Sequence, residues 1–219
     1  MSSETFSIFK TVGRIIRKGG ASDGGERDMR GNEYDDLLIA TGLPDGTETT
    51  RRGMRWSTMS TSAVAGLVVR PSTTAAFEIF NGYAEGDKSL IIDRLFWFNL
   101  VSTNVIEGFS GWAGVTSPKA APTDGSFVVR GAHGVSARNL PVIAAASTTV
   151  VDPGWFPWGN AYQKGAGGVV PFGALTAEVG GRIIVPPKCS LVLHVVSSLV
   201  GQTFTQGAEW VEAKIDVQR

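Results

Sequence analysis

The sequence predicts an all-β protein: an antiparallel β-sandwich of jelly-roll type, preceded by an extended or short-helical N-terminal arm. Three observations carry this. Short apolar runs rich in Val, Ile, Phe and Trp recur between Gly and Pro turns from residue 36 onward. No strong helical period appears after residue 20. The C-terminal run Ala208–Val217 alternates, with Val211, Ala213, Ile215 and Val217 on one side and Glu212, Lys214 and Asp216 on the other. That period of two belongs to a strand with one face in a core and one in water. About eight to ten such runs make a chain the size of a jelly roll, whose two packed sheets manage their edges. An immunoglobulin-like sandwich is the alternative topology.

Composition narrows the class. The chain has 219 residues, enough to bury a core without staples, and its Lys plus Arg (20) equal its Asp plus Glu (20). A neutral balance supplies no overall attraction to nucleic acid or an acidic membrane, and neither is expected as a partner. The single cysteine, Cys189, excludes an intramolecular disulfide and sits among apolar residues as a small buried hydrophobe. No apolar run has the length of a membrane span. Charges occupy the place of a secretory apolar segment, so synthesis in a cytoplasm is expected.

In chain order, residues 1–35 form the arm and its linker, and residues 36–219 the β domain. Within the arm Phe6, Phe9, Val12 and Ile16 recur at helical spacing beside Lys10, Arg14, Arg17 and Lys18. So short a helix is marginal alone and gains from a partner surface. Gly19–Asp28 is glycine-rich and charged, with the composition of a flexible linker. A first strand is expected at Asp36–Ala40, then a turn at Leu43–Gly46. The cluster Arg51-Arg52-Gly53-Met54-Arg55-Trp56 reads as a solvated loop or a salt-bridged contact, ahead of a phosphate site. Strands follow at 63–70 and 75–83.

The run Ser89–Val101 carries large groups on both faces. It is expected mid-sheet, covered by the core on one side and by a loop or a neighbouring subunit on the other. Further strands are expected at 105–115, 126–130 and 141–151, with a loop at 117–125. The aromatic stretch Asp152–Tyr162 is read as a loop because Pro153, Gly154, Pro157 and Gly159 interrupt it. At the end, Arg182–Val185 and Cys189–Val196 are expected to form a hairpin turned at Pro186-Pro187, where the chain rounds a sheet corner.

Chemistry is sparse. Of the two histidines, His133 lies in a glycine-rich turn and His194 in a strand, where Cys189 falls on the opposite face; no metal or cofactor is expected. There is no nucleophile elbow, and Gly165-Ala166-Gly167-Gly168 lacks the Lys-Ser/Thr ending of a phosphate loop. The acids sit mostly in turns, and the reading is not an enzyme. The aromatic stretch carries the functional signal. Trp155, Phe156, Trp158 and Tyr162 suit a protein interface, a plug at the end of the core, or sugar stacking, which would make the chain a carbohydrate-binding module using Trp155 and Trp158.

The arm, the linker, the glycine-rich sandwich and the closing Gly180–Val196 segment together resemble the jelly-roll structural proteins of virions. The nearest are the capsid decoration, cement and head-fibre base proteins of tailed phages. The resemblance covers Ala63–Val217 and is one of style, without a diagnostic motif. It implies a non-enzymatic virion protein that oligomerises, often as a trimer, and binds an assembled capsid or another virion component. The interface residues would then be Phe6, Phe9, Val12 and Ile16 in the arm, with Trp155, Phe156, Trp158 and Tyr162 in the sandwich.

Overall fold

The computed structural model describes residues 46–101, 106–123, 125–132, 137–138, 141–164, 173–198 and 201–215. The strand expected at Asp36–Ala40 and the arm residues Phe6, Phe9, Val12 and Ile16 lie outside them. Helix α1 (Thr47–Arg51) precedes twelve strands: β1 Arg55–Met59, β2 Val64–Ala65, β3 Thr74–Asn81, β4 Lys88–Val101, β5 Ile106–Val115, β6 Val129–Gly131, β7 Ala137–Arg138, β8 Val142–Thr149, β9 Phe156–Lys164, β10 Ala174–Val185, β11 Ser190–Ser197 and β12 Thr203–Lys214.

The pairing defines a jelly roll. Four antiparallel pairs are nested in sequence, β1 with β12, β3 with β11, β4 with β10 and β5 with β9, as the rungs of one long ribbon folded back on itself. Rolling the ribbon up adds β4–β12 and β5–β11 and yields two sheets, β10-β4-β12-β1 and β9-β5-β11-β3. The ribbon's tip, residues 116–155, extends both sheets on one side. It adds β6 and β7 beyond β1, and β8 beyond β3. On the other side β9 and β10 are edge strands.

The inner faces interlock as the periodicity requires. Leu90, Ile92, Leu95, Trp97, Ala208 and Trp210 of the first sheet meet Phe77, Ile79, Phe109, Leu191, Leu193 and Val195 of the second. Gly111 shows how closely. A Cβ there would lie 2.5 Å from the indole of Trp97, so a bare strand surface on β5 lets this tryptophan lie between the sheets. A bulge in β10, with Gly180 and Gly181 at φ of 56° and 80°, re-registers the strand on β4 between Glu178 and Ile183.

Three expectations are corrected. The segments around Pro186-Pro187 are not a hairpin, because β10 pairs with β4 in one sheet and β11 with β3 and β5 in the other. The prolines do stand at a corner, where Asn81 Nδ2 donates to Val185 O at 2.9 Å and Lys188 N to Asn81 O at 2.7 Å. The facing of β12 is the reverse of the expected one: Ala208, Trp210 and Glu212 are buried, while Val211 and Ala213 are half-buried on the outer face. Trp210 needs the core, and Glu212 is tolerated inside because the Tyr83 hydroxyl donates to it at 2.7 Å. Finally, of the strand expected at 63–70 only Val64–Ala65 is strand. The chain there crosses from β12 to β11, on which Leu67 N donates to Val195 O.

Candidate interface

The aromatic stretch is built on a small turn. Asp152 accepts the Gly154 N–H at 2.9 Å and is held bidentately by Arg70 at 2.7 and 3.2 Å. The Arg70 hydrogen bond, helped by that N–H, keeps the Asp152 carboxyl below the usual carboxylate range. Val69 and Val151, exposed at 65 and 84 %, lie next to this pair in sequence.

From that turn the chain dives and resurfaces. Trp155 is buried with Ala75, Val150 and Val192, its Nε1 donating to Ser72 O at 2.8 Å and its ring edge-on to His194 at 6.4 Å. It is a core plug on the outer side of the second sheet, not an open contact residue. Residues 156–164 then run as strand β9, not as a loop. Pro157 is accommodated because β9 is an edge and its register on β5 shifts at Gly111/Trp112.

On this edge Phe156 and Tyr162 are exposed at 62 and 71 %. Trp158, half-buried against the core, stands 6.1 Å from Phe156 in an edge-on pair and lies under the Arg182 guanidinium at 5.2 Å. Arg182 is fixed in turn by the carbonyls of Val179 and Glu178. The structure thus brings Phe156 and Trp158 together, adds Tyr162 farther along the strand, and withdraws Trp155. With Trp155 buried and Trp158 under Arg182, the two tryptophans do not form an open sugar platform.

The remaining polar groups serve the fold. His194 is buried, its Nδ1 lying 2.8 Å from Val195 N and 3.1 Å from Val195 O; burial lowers its pKa, partly offset by the hydrogen bond to the Val195 backbone. Cys189 is in the inner core, across the sheet from His194. Glu78, fully buried, is clasped by Lys119 at 2.8 and 3.0 Å and by the Ser190 hydroxyl, which ties residues 116–121 onto the second sheet. A groove of about 430 Å³ beside this segment is lined by Phe80, Pro141, Ile143, Lys119 and Lys188, but the lysines are already held by Glu78 and Gly82 O. No group of three His, Cys, Asp or Glu able to hold a metal is found among the described residues.

A second cluster realises the salt-bridged contact expected of the basic stretch, with partners the sequence did not point to. Arg55, from the basic stretch, bonds Asp93 at 2.9 Å and Glu209 at 2.7 Å, and Arg94 bonds Glu178 at 3.0 Å, all on the outer face of the first sheet. Four strands contribute, so no local spacing could reveal it. No protein-family model, curated protein or solved structure matches the chain.

Proposed function

We propose that this protein is a structural component of a virion, which oligomerises and binds an assembled phage capsid or another virion component. One observation carries the reading: a jelly roll whose unextended side presents Phe156 and Tyr162 to solvent on a proline-containing edge strand. Pro157 and the register shift discourage another strand from continuing the sheet there, so the aromatics favour docking through side chains. The N-terminal segment, with Phe6, Phe9, Val12 and Ile16, is the second attachment element of the proposal. Homo-oligomerisation belongs to the same reading.

The test is binding to purified phage particles by immunogold labelling and co-sedimentation, with wild-type protein against Phe156→Ser/Tyr162→Ser. Both side chains are exposed, so the double variant is expected to keep its β-rich circular dichroism and lose most particle binding. Absence of the wild-type protein from particles would sink the proposal.

A further inference from the structure

The first sheet has an outer face ordered in bands. Across one end run Ile184, Ile91 and Val211; across the middle Glu178, Arg94 and Glu209; beyond them Thr176, Phe96 and Met59, then Ala174 and Phe98, with Leu100 last. Ile184, Met59 and Leu100 are exposed at 37, 39 and 41 %, and Ile91, Phe96, Phe98 and Val211 are half-buried. Among the described residues no segment beyond α1 covers this face, and a sheet face this apolar is unusual on an open surface.

Its charged band also has an order. Passing from β10 through β4 to β12, the signs run Glu178 negative, Arg94 positive and Glu209 negative; on β1 Ser57 lies opposite Glu209, while Arg55, opposite Val211, reaches across to bond Glu209 and Asp93. Reversed about the line between β4 and β12, the central Arg94–Glu209 pair becomes its own complement. A two-fold axis parallel to the strands, between β4 and β12, sets β10 of one copy over β1 of the other and β4 over β12. Arg94 of each copy then faces the second copy's Glu209, and Ile91 of each faces the second copy's Val211. β10, β4 and β12 contribute about ten residues each and β1 five, at about 3.3 Å per residue and about 4.8 Å between strands, so the face spans roughly 550 Å² in plan. Side-chain relief brings this toward the roughly 800 Å² per partner of a standard interface.

We propose that this face is a self-association surface, on which a second copy of the chain packs sheet to sheet about that axis. The contact deepens the reading of an oligomerising protein and is separate from the β9 edge.

Sedimentation velocity of the full chain at micromolar concentration tests it. Wild type is expected to be a dimer. Arg94→Glu and Glu209→Lys are each expected to weaken dimerisation at least tenfold, because each homodimer sets like charges together, and an equimolar mixture of the two should recover it. A monomeric wild type, single variants that dimerise as tightly as wild type, or a mixture that stays monomeric would each overturn the proposal. If Glu209→Lys does not fold, having lost Arg55, Phe98→Ser takes its place: loss of the dimer supports the face and unchanged sedimentation overturns it. A monomer that still labels virions removes only this contact, whereas a dimer absent from particles removes only the virion reading.

Discussion

On the second sheet the outward side chains Glu78, Ser190 and His194 are exposed at 0, 0 and 3 %, whereas on the first sheet the outward Ile91, Phe96, Phe98 and Val211 are all only half-buried. The chain covers the second sheet itself. Residues 116–121 are pinned through Lys119 to Glu78, and residues 150–155 through Trp155 beside His194. Polar groups there must find partners inside the protein, since an unpaired buried charge costs several kcal/mol. The first sheet has no such flap among the described residues beyond α1, and its charges pair along the surface. The composition of each face follows what covers it. The covered face carries an apolar cluster around Trp155 and polar groups with dedicated partners, and the open one carries hydrophobes banded with charge.

Four measurements break or sharpen this contrast. Trp155→Ala should have the largest effect. It empties a buried site on the covered face, and a loss of about 3–5 kcal/mol is expected in urea unfolding, as for large aromatic truncations. Glu78→Ala comes next, at about 3 kcal/mol. Lys119, a quarter exposed, can turn partly to water, which limits the cost. Hydrogen exchange should show the 116–121 segment opening first, and uniform loosening of the whole sandwich would refute its role as a latch.

The third effect is on pH dependence. Burial holds the folded-state pKa of His194 below its unfolded value, so the unfolded chain takes up the proton first. Stability should be intact above about pH 6.5 and fall as the pH drops from there through the folded-state value, by an amount that His194→Gln removes. Unfolding midpoints measured across that range, at fixed salt, check the sign. The smallest effect belongs to the open face. Phe96→Ser should cost the isolated chain less than about 1 kcal/mol, because the side chain is already partly in water. A loss as large as that of Trp155→Ala would mean that the two faces do not differ.

By itself the sequence determined the class and most of the strands. Ser89–Val101 was legible to within a residue of β4, and 105–115 and 75–83 close to β5 and β3, because hydrophobic runs and Gly/Pro punctuation act within a few residues. The proline corner was legible too, since a missing N–H is a local fact. Tertiary structure alone decided which sheet each strand joins and which way it faces. Arg182–Val185 and Ser190–Val196 are neighbours in sequence, yet β4 claims one and β3 with β5 the other. Glu212 turns inward with Trp210 two residues before it, and the Tyr83 hydroxyl meets it there. Of the predicted contact residues, Phe156 and Tyr162 emerged exposed and Trp155 buried. An aromatic has the same affinity for a core as for an interface, and only pairings between distant strands choose between the two.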